Sequence, residues 1–192
     1  MGYISIDVEA SGPLPPDYDL LSIGAVVLER RDGDLVLGDD EGFYVELKPR
    51  SGREDPGAMA VHGLDPAKLR AEGSSPEEAA RSLDAWVRKV STEDDPPIFV
   101  GYCANFDWTY VNELFHHAGI ENPFGYKALD IRSLAHGVFQ DLAWEELRQD
   151  VLLPRLDLAP LSDDDAHHAL ADARHQAFML RELLRRRQSR GA

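Results

Sequence analysis

Apolar and polar residues alternate without a break along Tyr3-Ile-Ser-Ile-Asp-Val-Glu9. Ile4, Ile6 and Val8 point to one side and Ser5, Asp7 and Glu9 to the other, because a strand turns its side chains over at every residue. After the Pro-rich turn Gly12-Pro-Leu-Pro-Pro16 comes an almost wholly apolar run, Leu20 to Leu28. The turn Arg31-Asp-Gly-Asp34 follows, and then a third run, Phe43 to Leu47, stopped by Pro49. Three runs with short connections predict three antiparallel strands.

The period then changes. Ser75-Pro-Glu-Glu78 combines an N-cap, a first-turn proline and a glutamate three residues after the cap, which starts a helix to about Val90. Ala79, Leu83, Trp86, Val87 and Val90 form its buried side. A short strand, Pro96 to Val100, leads to a helix from about Phe106 to Ala118. Lys127 to Ile131 reads as a fifth strand followed by more helix, and Asp165 to about Arg187 as the last and longest helix. The fold class is therefore α/β: a mixed five-stranded sheet, three antiparallel strands and then two parallel ones, flanked by helices. No internal repeat is visible. Lys48–Pro56, Thr92–Pro97 and Val151–Asp165 read as surface connections, Trp86 and Trp144 as packing residues, and the Arg185–Arg190 tail as frayed.

Composition narrows the function. With 192 residues, 43% of them hydrophobic, the chain suits one domain spanning 1–192. Its 20 Lys+Arg against 35 Asp+Glu give a net charge of −15, which excludes a long cationic groove for duplex nucleic acid. A single-stranded end held through bound metal remains open. Cys103 is the one cysteine, so no internal disulfide or Cys-rich zinc site forms. The N-terminus lacks a signal-peptide pattern, and Ile6 stands where myristoylation wants Ser or Thr. No stretch reaches membrane-spanning length. The expectation is a soluble, cytoplasmic protein.

Asp7 and Glu9 sit side by side on a strand that otherwise reads as core, which costs desolvation and repulsion unless cations answer them. Asp107 stands at a strand-to-helix junction, where an acid is ordinary on its own. His167 and Asp172 open the last helix in the spacing His-x4-Asp. The specificity lies in their order along the chain. That order resembles the DEDDh exonucleases, 3′-5′ nucleases with a ribonuclease-H-like fold. Asp7-Val-Glu-Ala-Ser-Gly12, Ala104-Asn-Phe-Asp-Trp108 and His167-His-Ala-Leu-Ala-Asp-Ala173 are similar to the three family motifs. Leu21-Ser-Ile-Gly-Ala-Val26, Val61-His-Gly-Leu64 and Leu129-Asp-Ile-Arg-Ser-Leu-Ala135 resemble the intervening segments. Cys103 departs from the family's usual Asn.

The resemblance implies a metal-dependent 3′-5′ exonuclease that releases nucleoside 5′-monophosphates from a single-stranded end, RNA or short oligonucleotides favoured over DNA. Asp7, Glu9, Asp107 and Asp172 would hold two Mg²⁺ or Mn²⁺ ions, with Asp7 bridging, Glu9 and Asp172 completing one site and Asp107 serving the other through water. Hard oxygen ligands suit such ions, and two of them serve phosphodiester hydrolysis. His167 would be the general base, a task for which an imidazole of ordinary pKa about 6.5 is suited. Ala10, Ser11 and Gly12 would hug the terminal sugar, and His62 and Phe106 would contact bases. The resemblance also allows a homodimer. Arg181 to Arg187 reads as a solvated helix end that could alternatively meet substrate phosphates. Competing readings are a DNA proofreader or trimmer and a catalytically idle nucleic-acid-binding module; a phosphatase fits His-x4-Asp poorly.

Overall fold

The computed structural model describes residues 2–92, 96–162 and 165–189. Strand β1 (Tyr3–Ala10) pairs antiparallel with β2 (Leu20–Arg31) and parallel with β5 (Ile98–Gly101), which in turn pairs parallel with β6 (Ala128–Asp130). The far side of β2 carries β4 (Phe43–Glu46) along its first half and β3 (Asp34–Leu37) along its last. The order is β3-β2-β1-β5-β6, with β4 also on β2. β1 is thus a central strand.

The sheet has six strands rather than five. Asp32 and Gly33, at φ 53° and 90°, make a tight two-residue turn that folds Asp34–Leu37 back onto the end of β2. Asp-Gly is the dipeptide such hairpin turns prefer, but the strand after it is too short and too mixed to show a period.

The helices are α1 (Pro56–His62), α2 (Pro66–Glu72), α3 (Pro76–Val90), α4 (Asn105–His117), α5 (Ile131–Val138), α6 (Gln149–Arg155) and α7 (Ala169–Ser189), with a 3₁₀ turn at Trp144–Glu146. The expected start of α3 is present, since Ser75 and Glu78 cap each other reciprocally. α1 and α2 each begin at an Asp-Pro pair whose aspartate caps the first turn. α6 corrects the expected surface connection after Val151: Leu152, Leu153 and Leu156 are buried, in a run too short to reveal a helical period. Trp144, expected to pack, is 44% exposed. Part of the connection expected at Thr92–Pro97, and Arg190 of the expected tail, lie outside the described residues.

Two cores sandwich the sheet. Ile4, Ile6 and Val8 pack with Leu83, Val87, Tyr110 and Phe115 from α3 and α4. On the opposite face Val26, Leu28 and Val100 pack with Ile131, Leu152, Ala177 and Leu180 from α5, α6 and α7. The alternation read in β1 therefore puts Ser5, Asp7 and Glu9 on the α7 side. Among the described residues no helix is long and apolar enough to cross a membrane.

Candidate active site

The acids converge because three elements end at one place. In the register of β1 on β2, Asp7 lies opposite Gly24 and Glu9 opposite Ser22. A Cβ on Gly24 would lie 2.1 Å from Leu170 N and 2.2 Å from the Ala169 carbonyl carbon. The backbone at the start of α7 therefore rests directly on β2, beside Asp7. This is why α7 begins at Ala169 and not at Asp165: His167 sits just ahead of it at φ 61°, and the His168 carbonyl accepts the Asp172 N–H. The His168 ring stacks on Tyr44 of β4, centroids 4.4 Å apart. One ligand atom each from Glu9, His167 and Asp172 lie within 4.8 Å of one another.

Asp107 arrives from the other side. It stands in the first turn of α4, 3% exposed, and its Oδ1 accepts the Val8 N–H at 3.1 Å, tying α4 to β1. A Cβ on Gly101 would come within 3.1 Å of Asp107 Oδ2, so the bare residue keeps that oxygen clear. Cys103, in the turn between β5 and α4, has φ 60°. Asn tolerates that left-handed backbone better than Cys does, which gives a conformational reason for the family's usual residue there. Asp130 caps α5 through the Ser133 N–H and holds the Ala104 N–H with its other oxygen.

One positioning residue has no counterpart in the expectations. Gln176 of α7 donates Nε2–H to Asp7 Oδ1, and its Oε1 accepts the Tyr102 N–H at 2.9 Å. The backbone donor fixes the orientation of the amide, so Asp7 necessarily faces the NH₂ end. Its only signal in the sequence is a buried amide within an otherwise Ala- and Leu-rich helix face.

The electrostatics are those of a site lacking counter-charge. Burial, then Asp107, Glu9 and Asp172, push the Asp7 carboxyl well above its usual range, and Gln176 opposes them. Burial, Asp172 and Asp107 raise Glu9 to about 8. Asp107 also rises to about 8, mainly through burial, against the opposing Val8 N–H. Burial raises Asp172, with His167 acting against it. Asp172 Oδ2 is buried without a hydrogen-bond partner among the described residues. Clustered oxygen donors, mutual repulsion and an orphaned carboxylate oxygen fit hard divalent cations.

All five residues line one cleft of about 510 Å³, together with Phe106, Cys103, Arg132 and Arg148. Phe106 stands on its wall, edge-on to Tyr110 at 5.1 Å. Ala10, Ser11 and Gly12 are buried and do not line it. The Ser11 hydroxyl donates to the Arg53 carbonyl and accepts the Asp19 N–H, and the Gly12 carbonyl accepts the Tyr110 hydroxyl at 2.7 Å. A Cβ on Gly12 would lie 2.1 Å from the Tyr18 ring, so close packing already requires glycine there. His62, half-buried at the end of α1, accepts the Leu64 N–H at Nδ1. Burial lowers its pKa; the Ala10 carbonyl opposes this and His167 adds to it. In the arginine run of α7, Arg181 pairs with Glu182, Arg185 with Asp34 and Arg186 with Asp157.

Comparison with known proteins shows the family and the fold. Residues 2–184 match the family described as the 3′-5′ exoribonuclease Rv2179c-like domain. The chain is 38% identical over 179 residues to the 3′-5′ DNA exonuclease Cap18 of Escherichia coli, covering 93% of this chain and 89% of that one. It is 30% identical over 191 residues to ribonuclease T of Yersinia enterocolitica, covering 95% and 84%. Among solved structures, the nuclease domain of 3′hExo, a DEDDh family member bound to rAMP, superposes with TM-score 0.77 at 15% identity, covering 96% of this chain and 92% of that one. E. coli exonuclease I in complex with a dT13 oligonucleotide gives 0.75 at 18% identity, over 98% of this chain and 42% of that one. At those identities the two structures speak for the fold.

Proposed function

Since the chain belongs to the Rv2179c-like family of 3′-5′ exoribonuclease domains and is a 3′-5′ exonuclease of the DEDDh type, we propose that it removes nucleoside 5′-monophosphates from single-stranded 3′ ends, RNA preferred, with His167 as general base. The observation that carries this is the grouping of Glu9, His167 and Asp172 on the cleft that Asp7 and Asp107 also line. Glu9 and Asp172 would hold one divalent ion, Asp7 would be shared, and Asp107 would serve a second. Such ions supply charge neutralisation at the phosphoryl and leaving oxygens and make water a better nucleophile. His167 is exposed at the cleft, in contrast to buried Asp107, and takes the proton of the attacking water. Gln176 holds the Asp7 carboxylate in one orientation. Phe106 offers a ring face to a base, and the segment Ala10–Gly12 with His62 closes the end where the terminal sugar would sit.

A DNA substrate is the second reading, supported by the name of the relative at 38% identity. The test is a product ladder from 5′-labelled single-stranded RNA and DNA of matched sequence, with Mn²⁺ or with EDTA. Stepwise shortening from the 3′ end in Mn²⁺, faster on RNA, is expected. Equal or faster DNA degradation moves the proposal to DNA, and absence of shortening on either overturns it.

A further inference from the structure

The α5 wall of the cleft carries a cation that the fold itself leaves unpaired. Arg132, in the first turn of α5, lines both the catalytic cleft and an adjoining hollow of about 440 Å³ that Trp108, Tyr126 and Trp144 also border. Its guanidinium lies over the Trp144 ring, 4.6 Å from the centroid, and Nη2 donates to the Trp144 carbonyl at 3.0 Å. Nη1 has only a 4.0 Å approach to Cys103 Sγ, and the buried Nε–H finds no acceptor among the described residues. Among the described residues no carboxylate pairs with Arg132. Its neighbour Asp130 has both oxygens engaged by backbone N–H groups. Arg148, the other arginine on the cleft, is closed on Asp150 by two hydrogen bonds.

Charge and placement say what such a group meets. Four carboxylates and two divalent ions cancel, and the chain as a whole carries −15, so the rest of a polyanionic strand is repelled unless a local cation answers it. A guanidinium already laid on an indole loses little freedom on binding, and its fork matches two phosphate oxygens. The sheet order places β6, and α5 which follows it directly, beyond β5, on the side of β1 away from β2 and the β1–β2 loop. With the terminal sugar at that loop, the strand leaves towards α5. Resting on the exonuclease function above, we propose that Arg132 grips the phosphodiester immediately 5′ of the scissile one, so that a second backbone charge tightens productive binding.

The test compares three substrates: an all-phosphate trinucleotide, the same trinucleotide with a neutral methylphosphonate at its 5′ linkage, and the 4-nitrophenyl ester of thymidine 5′-monophosphate, which has no upstream phosphate. Arg132→Gln is expected to raise KM for the all-phosphate trinucleotide by about tenfold or more at unchanged kcat. The wild-type enzyme should show a similar rise on the methylphosphonate, with no further loss when the two changes are combined. The nitrophenyl ester should be turned over alike by both proteins, and Arg132→Lys should recover part of the loss. Additive losses, or an equal loss on the nitrophenyl ester, would overturn the proposal. A wild-type protein that cleaves none of the three would instead remove the exonuclease reading on which it rests.

Discussion

Gly24 has no chemistry, yet its replacement is expected to disable the enzyme. An added methyl in Gly24→Ala would stand 2.1 Å from Leu170 N, where ordinary contact begins at 3.4 Å, so the two backbones must part by 3.4 − 2.1 = 1.3 Å. The obstruction is main chain, with no flexible side-chain end to swing away. Overpacking of this kind costs about 1–3 kcal/mol, or about 3–10 °C in melting temperature for a chain of this size. The larger consequence is geometric. α7 carries Asp172 in its first turn and His167 just ahead of it, while Asp7 and Glu9 stay on β1. A shift near 1 Å between reacting groups costs about a hundredfold in rate. The assay is steady-state turnover of a labelled oligonucleotide in Mn²⁺, alongside thermal melting. Gly137→Ala in α5 is the control, since a methyl there meets nothing within 4 Å; it should keep full activity and gain up to about 1 kcal/mol from helix propensity. A Gly24→Ala protein with wild-type kcat and melting temperature would refute the claim that α7 rests on β2.

Three further outcomes are expected. Glu9 and Asp107 hold protons to about pH 8 in the fold, from ordinary values of 4.5 and 3.8, so their contribution to stability is intact below about pH 4 and is lost as pH rises towards 8. The metal-free protein should therefore be less stable at pH 8 than at pH 5 by on the order of a few kcal/mol and melt at a lower temperature; Mn²⁺ should recover the loss and Asp107→Asn should flatten the profile, whereas a melting temperature rising with pH would show the carboxyls are not strained. Gln176→Leu removes two partly buried hydrogen bonds and leaves the Tyr102 N–H unsatisfied, at about 1–3 kcal/mol; calorimetric titration should also show weaker Mn²⁺ binding, and unchanged affinity would limit Gln176 to a stabilising part. His167→Ala should lose about a hundredfold or more in kcat while binding Mn²⁺ nearly as well as wild type, whereas Asp7→Asn should lose the metal; equal loss of affinity in both would make His167 a ligand instead of a base.

The sequence alone determined which face of β1 would carry charge, because alternation is a local rule: Ile4, Ile6 and Val8 had to go one way and Asp7 and Glu9 the other. It likewise determined the capped start of α3 and the grouping of Asp107, His167 and Asp172 with the first pair, through residue types in a set order. What only the tertiary structure decided depends on contacts between distant segments. Gly24 is ordinary in a strand until α7 lies on it. Gln176 is one polar residue in an apolar helix until Asp7 and Tyr102 flank it. Trp144 reads as a packing residue, yet half-exposed it carries Arg132 on its ring. Ser11 and Gly12 read in the sequence only as lining for a terminal sugar, and the fold shows that the hydrogen bonds of Ser11, the Tyr110 hydroxyl and the closely packed Tyr18 ring also hold them in place. Patterns with a period of two or three to four residues report on backbone and face, whereas close approach of backbones and the partner of a buried amide are properties of packing, which no local pattern records.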